Sequence, residues 1–131
     1  FDESQTLYSK NLLYEARIKS DRLLYAWQPS EEWTSSGGQN FPVTAGRWYH
    51  AAVVYDKTRQ TMYMDGVPVF SEAVTGNMGS NTNALLLGAR ERWRGLGPYR
   101  FFNGEMDDVR IYGRALSAAE VAALAAGKKD R

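Results

Sequence analysis

Apolar and polar residues alternate with a period of two through most of the first 112 residues of this 131-residue chain. Successive side chains of a β-strand point to opposite faces, so this period predicts strands that each bury one face. The period changes only at 117–127, where an alanine-rich stretch between Ser117 and Gly127 predicts one short helix. Many short strands with turns between them predict an antiparallel sandwich or barrel.

Turn residues divide the alternating region into strands. Ser20-Asp21 and Asp65-Gly66 each separate two strand candidates, and such residues tolerate the positive φ of a tight hairpin turn. Pro68 cannot donate to a ladder and is expected at a sheet edge or a bulge, while Gly104 is expected at a bulge or a close approach. The predicted strands are 4–9, 12–19, 22–27, 47–56 (a central strand), 60–66, 67–74, 84–90 and 101–114.

Composition narrows the class of protein. A hydrophobic share of 44% and a charged share of 24% are typical of a folded chain, and the length suits one domain over 1–131. The net charge of +1 gives no field that would recruit nucleic acid, and no apolar run is long enough for membrane insertion. The absence of cysteine excludes disulfides and thiol chemistry. The start at Phe1 indicates a fragment, a mature form or an excised domain.

Four motifs follow one another between residues 47 and 124. They are Trp48-Tyr49-His50, Tyr63-Met64-Asp65-Gly66, Gly104-Glu105-Met106-Asp107-Asp108-Val109-Arg110-Ile111-Tyr112, and Arg114-Ala115-Leu116-Ser117 with Glu120. The ordered set resembles the laminin-G-like, concanavalin A-like jelly-roll family. The resemblance implies an all-β antiparallel jelly-roll sandwich with one short C-terminal helix. It also implies a non-catalytic, lectin-like module outside the cell or at its surface, which recognises carbohydrate or an extracellular protein through rim loops.

The chain departs from that family at its N-terminus. Family members usually have further strands ahead of the segment resembling Gln5–Ser9, and one of them pairs with the strand that holds Asp107–Tyr112. Three explanations are open: a trimmed fold, an N-terminal part outside this chain, or cover supplied by a second chain. An unpaired sheet edge invites association. The alternative function is therefore a structural unit whose exposed edge drives assembly into a homo-oligomer.

Loop aromatics and arginines are the predicted ligand-binding residues. Aromatic rings in rim loops can stack on sugars, although they can equally fill the ends of a sandwich. Arginines around position 92 suit anionic glycans, although they can instead pair with Glu31, Glu32 or Glu105 in a solvated loop. The predicted ligand-binding set is Trp33, Arg92, Trp93, Arg94 and Tyr99.

Asp107 is the predicted metal ligand. On a strand it would share the inward face with Val109 and Ile111, where a carboxylate needs a cation or several donors. The resemblance implies a structural calcium ion at this aspartate, yet calcium takes six to eight oxygen ligands. A carboxylate that caps loop amides or pairs with Arg110 or Arg114 is the alternative.

Catalysis is not expected. Retaining glycosidases on this fold need two suitably spaced carboxyl groups, and no second glutamate follows Glu105 and Asp107 on the strand. His50 is the only histidine, so a zinc or catalytic role would lack its usual partners, and a hydrogen-bonded packing role is expected.

Overall fold

The computed structural model describes residues 4–27, 34–35, 41–74, 79–92 and 95–127. The chain is mostly antiparallel β-structure with one short helix, which confirms the predicted fold class. Two compact units emerge, one from 1–43 with 76–106 and one from 44–75 with 107–131. The single domain over 1–131 stays a prediction.

The first unit is built on a six-stranded antiparallel sheet of order β4-β3-β2-β1-β9, with β5 also pairing with β3. A separate two-stranded ladder joins β10 and β11. The predicted hairpin at Ser20-Asp21 is confirmed, because both residues adopt positive φ, 51° and 58°. The strands are β1 (Gln5–Lys10), β2 (Tyr14–Lys19), β3 (Arg22–Trp27), β4 (Thr34–Ser35), β5 (Phe41–Pro42), β9 (Leu85–Leu87), β10 (Arg90–Glu91) and β11 (Pro98–Tyr99).

One face of this sheet carries a tyrosine cluster. Tyr8 and Tyr25 are cross-strand partners of Ala16, and the ring of Tyr14 meets that of Tyr8 edge-on with centroids 6.2 Å apart. Burial raises the pKa of the Tyr8 and Tyr25 phenols above their ordinary value of 10.0, since ionisation would place a charge where water is excluded. These phenols are therefore packing groups at neutral pH.

The second unit contains β6 (Ala51–Tyr55), β7 (Arg59–Met64), β8 (Val67–Ala73) and α1 (Ala118–Ala126). The sheet order is β6-β7-β8, so the prediction that 47–56 is a central strand is wrong. The strand begins only at Ala51 and, within the described part of the chain, lies at an edge of this sheet. The central strand is β7, whose Gln60, Met62 and Met64 are buried on one face.

Pro68 lies where the sequence predicts it. Among the described residues β8 pairs only with β7, which makes it an edge strand. The register shifts by one residue next to Pro68: Met62 pairs with Phe70, and Tyr63 pairs with Pro68. Proline and the bulge therefore occur together at this edge, as the missing N–H group requires.

The β7–β8 turn joins the sheet to the helix. Asp65 and Gly66 adopt φ of 51° and 81°. A Cβ atom on Gly66 would lie 3.1 Å from Ala122 Cα and 3.1 Å from Ala125 Cβ, so the turn packs directly on α1. The Asp65 carboxylate accepts the His50 backbone N–H at 2.9 Å, which gives the backbone of His50 a hydrogen-bonded, structural role.

The helix begins and ends as predicted. Ser117 is its N-cap, and the Ser117 and Glu120 side chains satisfy each other's backbone N–H groups. Glu120 also binds Arg114 through two contacts of 3.0 and 2.8 Å. The Arg114 guanidinium, followed by the Ser117 amide, lowers the pKa of Glu120 from 4.5 to about 2. Among the described residues no helix is long and apolar enough to cross a membrane.

The predicted strand over 101–114 is absent, because the described backbone there forms no ladder. Alternation indicates extended chain, but a strand also needs a hydrogen-bonded neighbour. Val109, Ile111 and Tyr112 are consequently 47%, 66% and 42% exposed. Gly104 marks a close approach rather than a bulge, since a Cβ there would lie 2.5 Å from the Phe102 ring.

Candidate functional site

A cleft of about 600 Å³ opens in the first unit. Three segments that are far apart in sequence form its walls: the β1–β2 turn, the stretch before and within β9, and the end of β10. Amide, hydroxyl and charged groups share the lining with aliphatic side chains. The polar lining residues are Asn11, Thr82, Asn83, Glu91 and Arg92, and the aliphatic ones are Leu12, Ala84 and Leu86.

The β1–β2 turn presents a strained leucine to the cleft. The Leu13 N–H donates to the Lys10 carbonyl at 3.0 Å, which closes the turn. Leu12 lies inside it with φ of 63°, in the left-handed region that favours glycine. Its side chain is 42% exposed, so burial in a core does not account for this conformation.

Asparagines from the loop before β9 hold this turn in place. The side-chain amides of Asn81 and Asn83 both donate to the Asn11 carbonyl, at 2.9 and 3.0 Å. The Lys10 ammonium donates in return to the Asn83 carbonyl. A short polar network, spanning some seventy positions in sequence, thus fixes the wall that carries Leu12.

The β10–β11 ladder supplies the opposite charges of the lining. Glu91 pairs with Pro98, and the Arg92 N–H donates to the Gly97 carbonyl at 3.1 Å. Both residues line the cleft, with Glu91 half-buried and Arg92 exposed.

The predicted arginine cluster is divided among different contacts. The Arg92 and Arg100 guanidinium groups lie over the Tyr99 ring, 5.3 and 5.0 Å from its centroid. Arg90 instead contacts the buried Glu15 carboxylate at 3.2 Å, and this partner differs from the glutamates that the sequence suggested. Arg17 contacts the same carboxylate at 3.1 Å. Only Arg92, among the described arginines of this segment, lines the cleft.

The five predicted ligand-binding residues therefore separate into two groups. Arg92 lines the cleft and Tyr99 lies beneath its guanidinium, so the structure brings these two together. Trp33, Trp93 and Arg94 lie outside the described residues. Their roles in binding stay predictions.

Sequence reasoning missed most of the cleft. Asn11, Leu12, Asn83 and Glu91 carry no recognisable motif, and only the Gly/Asn-rich composition of 76–83 indicated a loop there. The signal that could have found them is the pair of asparagines, Asn81 and Asn83, because such side chains often fix a neighbouring turn.

Asp107 does not point inward as predicted, because it is exposed in a segment that forms no strand. Its carboxylate accepts the Asp108 N–H at 2.7 Å, and Asp108 lies 3.6 Å from Arg110. Among the residues that the structure describes, no three His, Cys, Asp or Glu side chains form a group that could hold a metal ion. The donor set for calcium is thus not assembled there, and calcium binding at Asp107 stays a prediction.

Two solved structures are similar to this chain. One is an S-layer domain-containing protein (residues 221–444) from Clostridium thermocellum, with 27% identity, a TM-score of 0.54, and coverage of 89% of this chain and 58% of that one. The other is botulinum neurotoxin type C, in a structure whose description states that cell entry depends on two ganglioside molecules. It has 13% identity, a TM-score of 0.57, and coverage of 95% of this chain and 31% of that one.

This chain therefore spans somewhat more than half of the first structure and about a third of the second. At 13% identity the toxin shows a shared fold alone. The chain has no significant match among curated proteins. The sequence profile of the laminin-G-like group of the concanavalin A-like lectin/glucanases superfamily matches residues 2–122, nearly the whole chain, and the protein belongs to that superfamily.

Proposed function

We propose that this protein is a non-catalytic carbohydrate-binding module and that the cleft of the first unit is its binding site. The observation that carries the proposal is the mixed lining of that cleft. Sugars present hydroxyl groups and patches of C–H, and binding sites for small molecules combine apolar surface with a few placed polar groups. Asn83, Glu91 and Arg92 supply donors and acceptors, and Leu12 supplies apolar surface.

Two comparisons support a glycan as ligand and a location at the cell surface or outside the cell. The superfamily description includes lectins, and cell entry of the toxin of the same fold depends on interaction with two ganglioside molecules. The similar bacterial protein contains an S-layer domain. An extracellular protein partner that engages the same cleft is the second possibility within this proposal.

The test is a glycan array followed by isothermal titration with the best oligosaccharide. Arg92→Ala should weaken binding about tenfold or more, the effect of losing a hydrogen bond to a charged group. Lys19→Ala is the matched control, because Lys19 is an exposed cation of the same unit whose side chain does not line the cleft. Equal affinities for the two variants would contradict the cleft as the site.

The superfamily also contains glucanases, so catalysis needs its own test. Incubation with soluble glucans should release no reducing ends above a heat-treated control. The expectation rests on Glu105 and Asp107, which lie in an exposed segment without a strand partner in the described chain. Steady release of oligosaccharides would make the protein an enzyme.

Assembly is the alternative function, and one observation favours it. Val109, Ile111 and Tyr112 expose apolar surface within one short segment of the second unit. Sedimentation should then show an oligomer that Ile111→Lys disrupts. A monodisperse monomer with an intact fold would leave binding as the function.

A further inference from the structure

We infer that the cleft selects an uncharged, polyhydroxylated ligand over an anionic glycan, because both Glu91 and Arg92 line it while Arg90 and Arg100 are engaged inside the protein. This inference rests on the proposed carbohydrate-binding function. It differs from the expectation of anionic glycans that the arginine-rich sequence of 90–100 suggests.

Two arginines of the segment 90–100 do not line the cleft. Arg90 contacts Glu15, whose carboxylate is 2% exposed, and the Arg90 side chain is itself only 19% exposed. A ligand that drew Arg90 away would leave a buried carboxylate with one cation fewer, which is strongly unfavourable. Arg100 lies over the Tyr99 ring. Neither residue is in the lining that an anion would meet.

The charged residues that line the cleft are one acid and one base in the described chain. They are Glu91 and Arg92, which are adjacent in sequence. A sulfate or carboxylate drawn to Arg92 would enter a lining that also carries the negative charge of Glu91, and like charges repel. A sugar hydroxyl suits both groups, because it donates to the Glu91 carboxylate and accepts from the Arg92 guanidinium.

The remaining described lining of the cleft is uncharged. Asn83 and Thr82 add neutral hydrogen-bonding groups, whereas Leu12 and Leu86 add aliphatic area. The C–H face of a sugar ring can cover such area and gain from its removal from water. Most of the described lining of the cleft is therefore uncharged, and the rest carries one acid and one base.

The test compares matched neutral and anionic probes at two salt concentrations. Affinity electrophoresis in gels containing dextran, hydroxyethyl cellulose, laminarin or mannan is run beside gels containing dextran sulfate, carboxymethyl cellulose or heparin. At least one neutral polymer should retard the protein more than every anionic one, and raising the salt should change that retardation less than twofold, since salt screens only charge. Stronger, salt-sensitive retardation by an anionic polymer would overturn the inference and leave carbohydrate binding intact. Retardation by no probe would overturn both.

Glu91→Gln separates the role of charge from that of shape. The variant should bind the neutral polymer about tenfold more weakly, as the loss of a hydrogen bond to a carboxylate predicts. It should also gain salt-sensitive binding to dextran sulfate, because Arg92 then lacks its neighbouring acid. Glu105→Gln is the control, an exposed acid of the same unit away from the cleft lining. Unchanged binding by Glu91→Gln, at an unchanged melting temperature, would contradict the inference.

Discussion

The β1–β2 and β7–β8 turns both contain left-handed backbone, and the chain provides it in different ways. The β7–β8 turn uses Asp65 and Gly66, residue types that adopt positive φ readily. The β1–β2 turn uses Leu12, for which the same conformation costs about 1–2 kcal/mol. The β7–β8 turn is supported by its own residue types, whereas the β1–β2 turn depends on hydrogen bonds from a distant loop.

This difference separates a turn that serves packing from a turn that serves recognition. Gly66 lies against α1, where a side chain has no room. Leu12 lines the cleft and is largely exposed, so burial in a core does not compensate its strain. Strained non-glycine residues cluster at functional sites, because there the required position of a side chain matters more than the free-energy cost of a strained backbone.

The largest effect is expected at the β7–β8 turn. Gly66→Ala should destabilise the protein by about 2–4 kcal/mol, from left-handed strain and from contact with Ala122 and Ala125. Gly46→Ala is the matched control, because Gly46 has φ of 79° and open space around it. Urea unfolding should show the smaller loss for Gly46→Ala. Equal losses would mean that strain alone matters and that the helix contact does not.

The next effect is the loss of the hydrogen bonds that hold the β1–β2 turn. Asn83→Ala should cost about 1 kcal/mol, since its amide donates to the Asn11 carbonyl. The measurement is again urea unfolding, joined to oligosaccharide titration. In a Leu12→Gly background the same substitution should cost measurably less, because a relaxed turn needs less support. Strict additivity would contradict the strain that we assign to Leu12.

A smaller effect of opposite sign is expected at Leu12 itself. Leu12→Gly should stabilise the fold by about 0.5 kcal/mol, as relief of left-handed strain exceeds the entropy that glycine adds to the unfolded chain. The same variant should bind carbohydrate more weakly, because the aliphatic wall is lost. Leu12→Ala keeps the strain and removes the side chain, so it should lose binding without gaining stability. A Leu12→Gly variant less stable than Leu12→Ala would contradict this account.

The smallest effect is a pH response confined to the second unit. The folded protein lowers the pKa of Glu120 to about 2, so its contribution to stability is complete above the unfolded value of 4.5 and is lost as the pH falls through about 2. Amide resonances of α1 and of Gly66 should therefore shift with a midpoint near pH 2 in an NMR titration. Glu120→Gln should remove that titration while Asn83 and its neighbours remain unchanged.

Local patterns in the sequence predicted the turns and the start of the helix, which depend on residues close together along the chain. The hairpin at Ser20-Asp21, the turn at Asp65-Gly66 and the helix beginning at Ser117 are all confirmed, because turn and capping residues act within a few positions. The prediction of a strand over 101–114 was wrong, because alternation does not show whether a partner strand is present, and Asp108 there has a left-handed φ of 50°. The cleft was missed for a related reason: its walls come from three distant segments, and nothing local marks Leu12 or Glu91 as neighbours.

Pro68 has a consequence for how copies of this protein could associate. Met64 and Val67 close a two-residue turn and so form a hydrogen-bonded pair, which places the next residue, Pro68, with its backbone nitrogen toward the outer side of β8. That nitrogen has no N–H group to donate to an incoming strand. The bulge beside it also bends β8, so that this edge is not a flat surface for strand pairing. The β8 edge of this sheet thus disfavours backbone pairing with a strand of another copy. Any self-association at this edge must proceed through side chains rather than through a shared β-ladder.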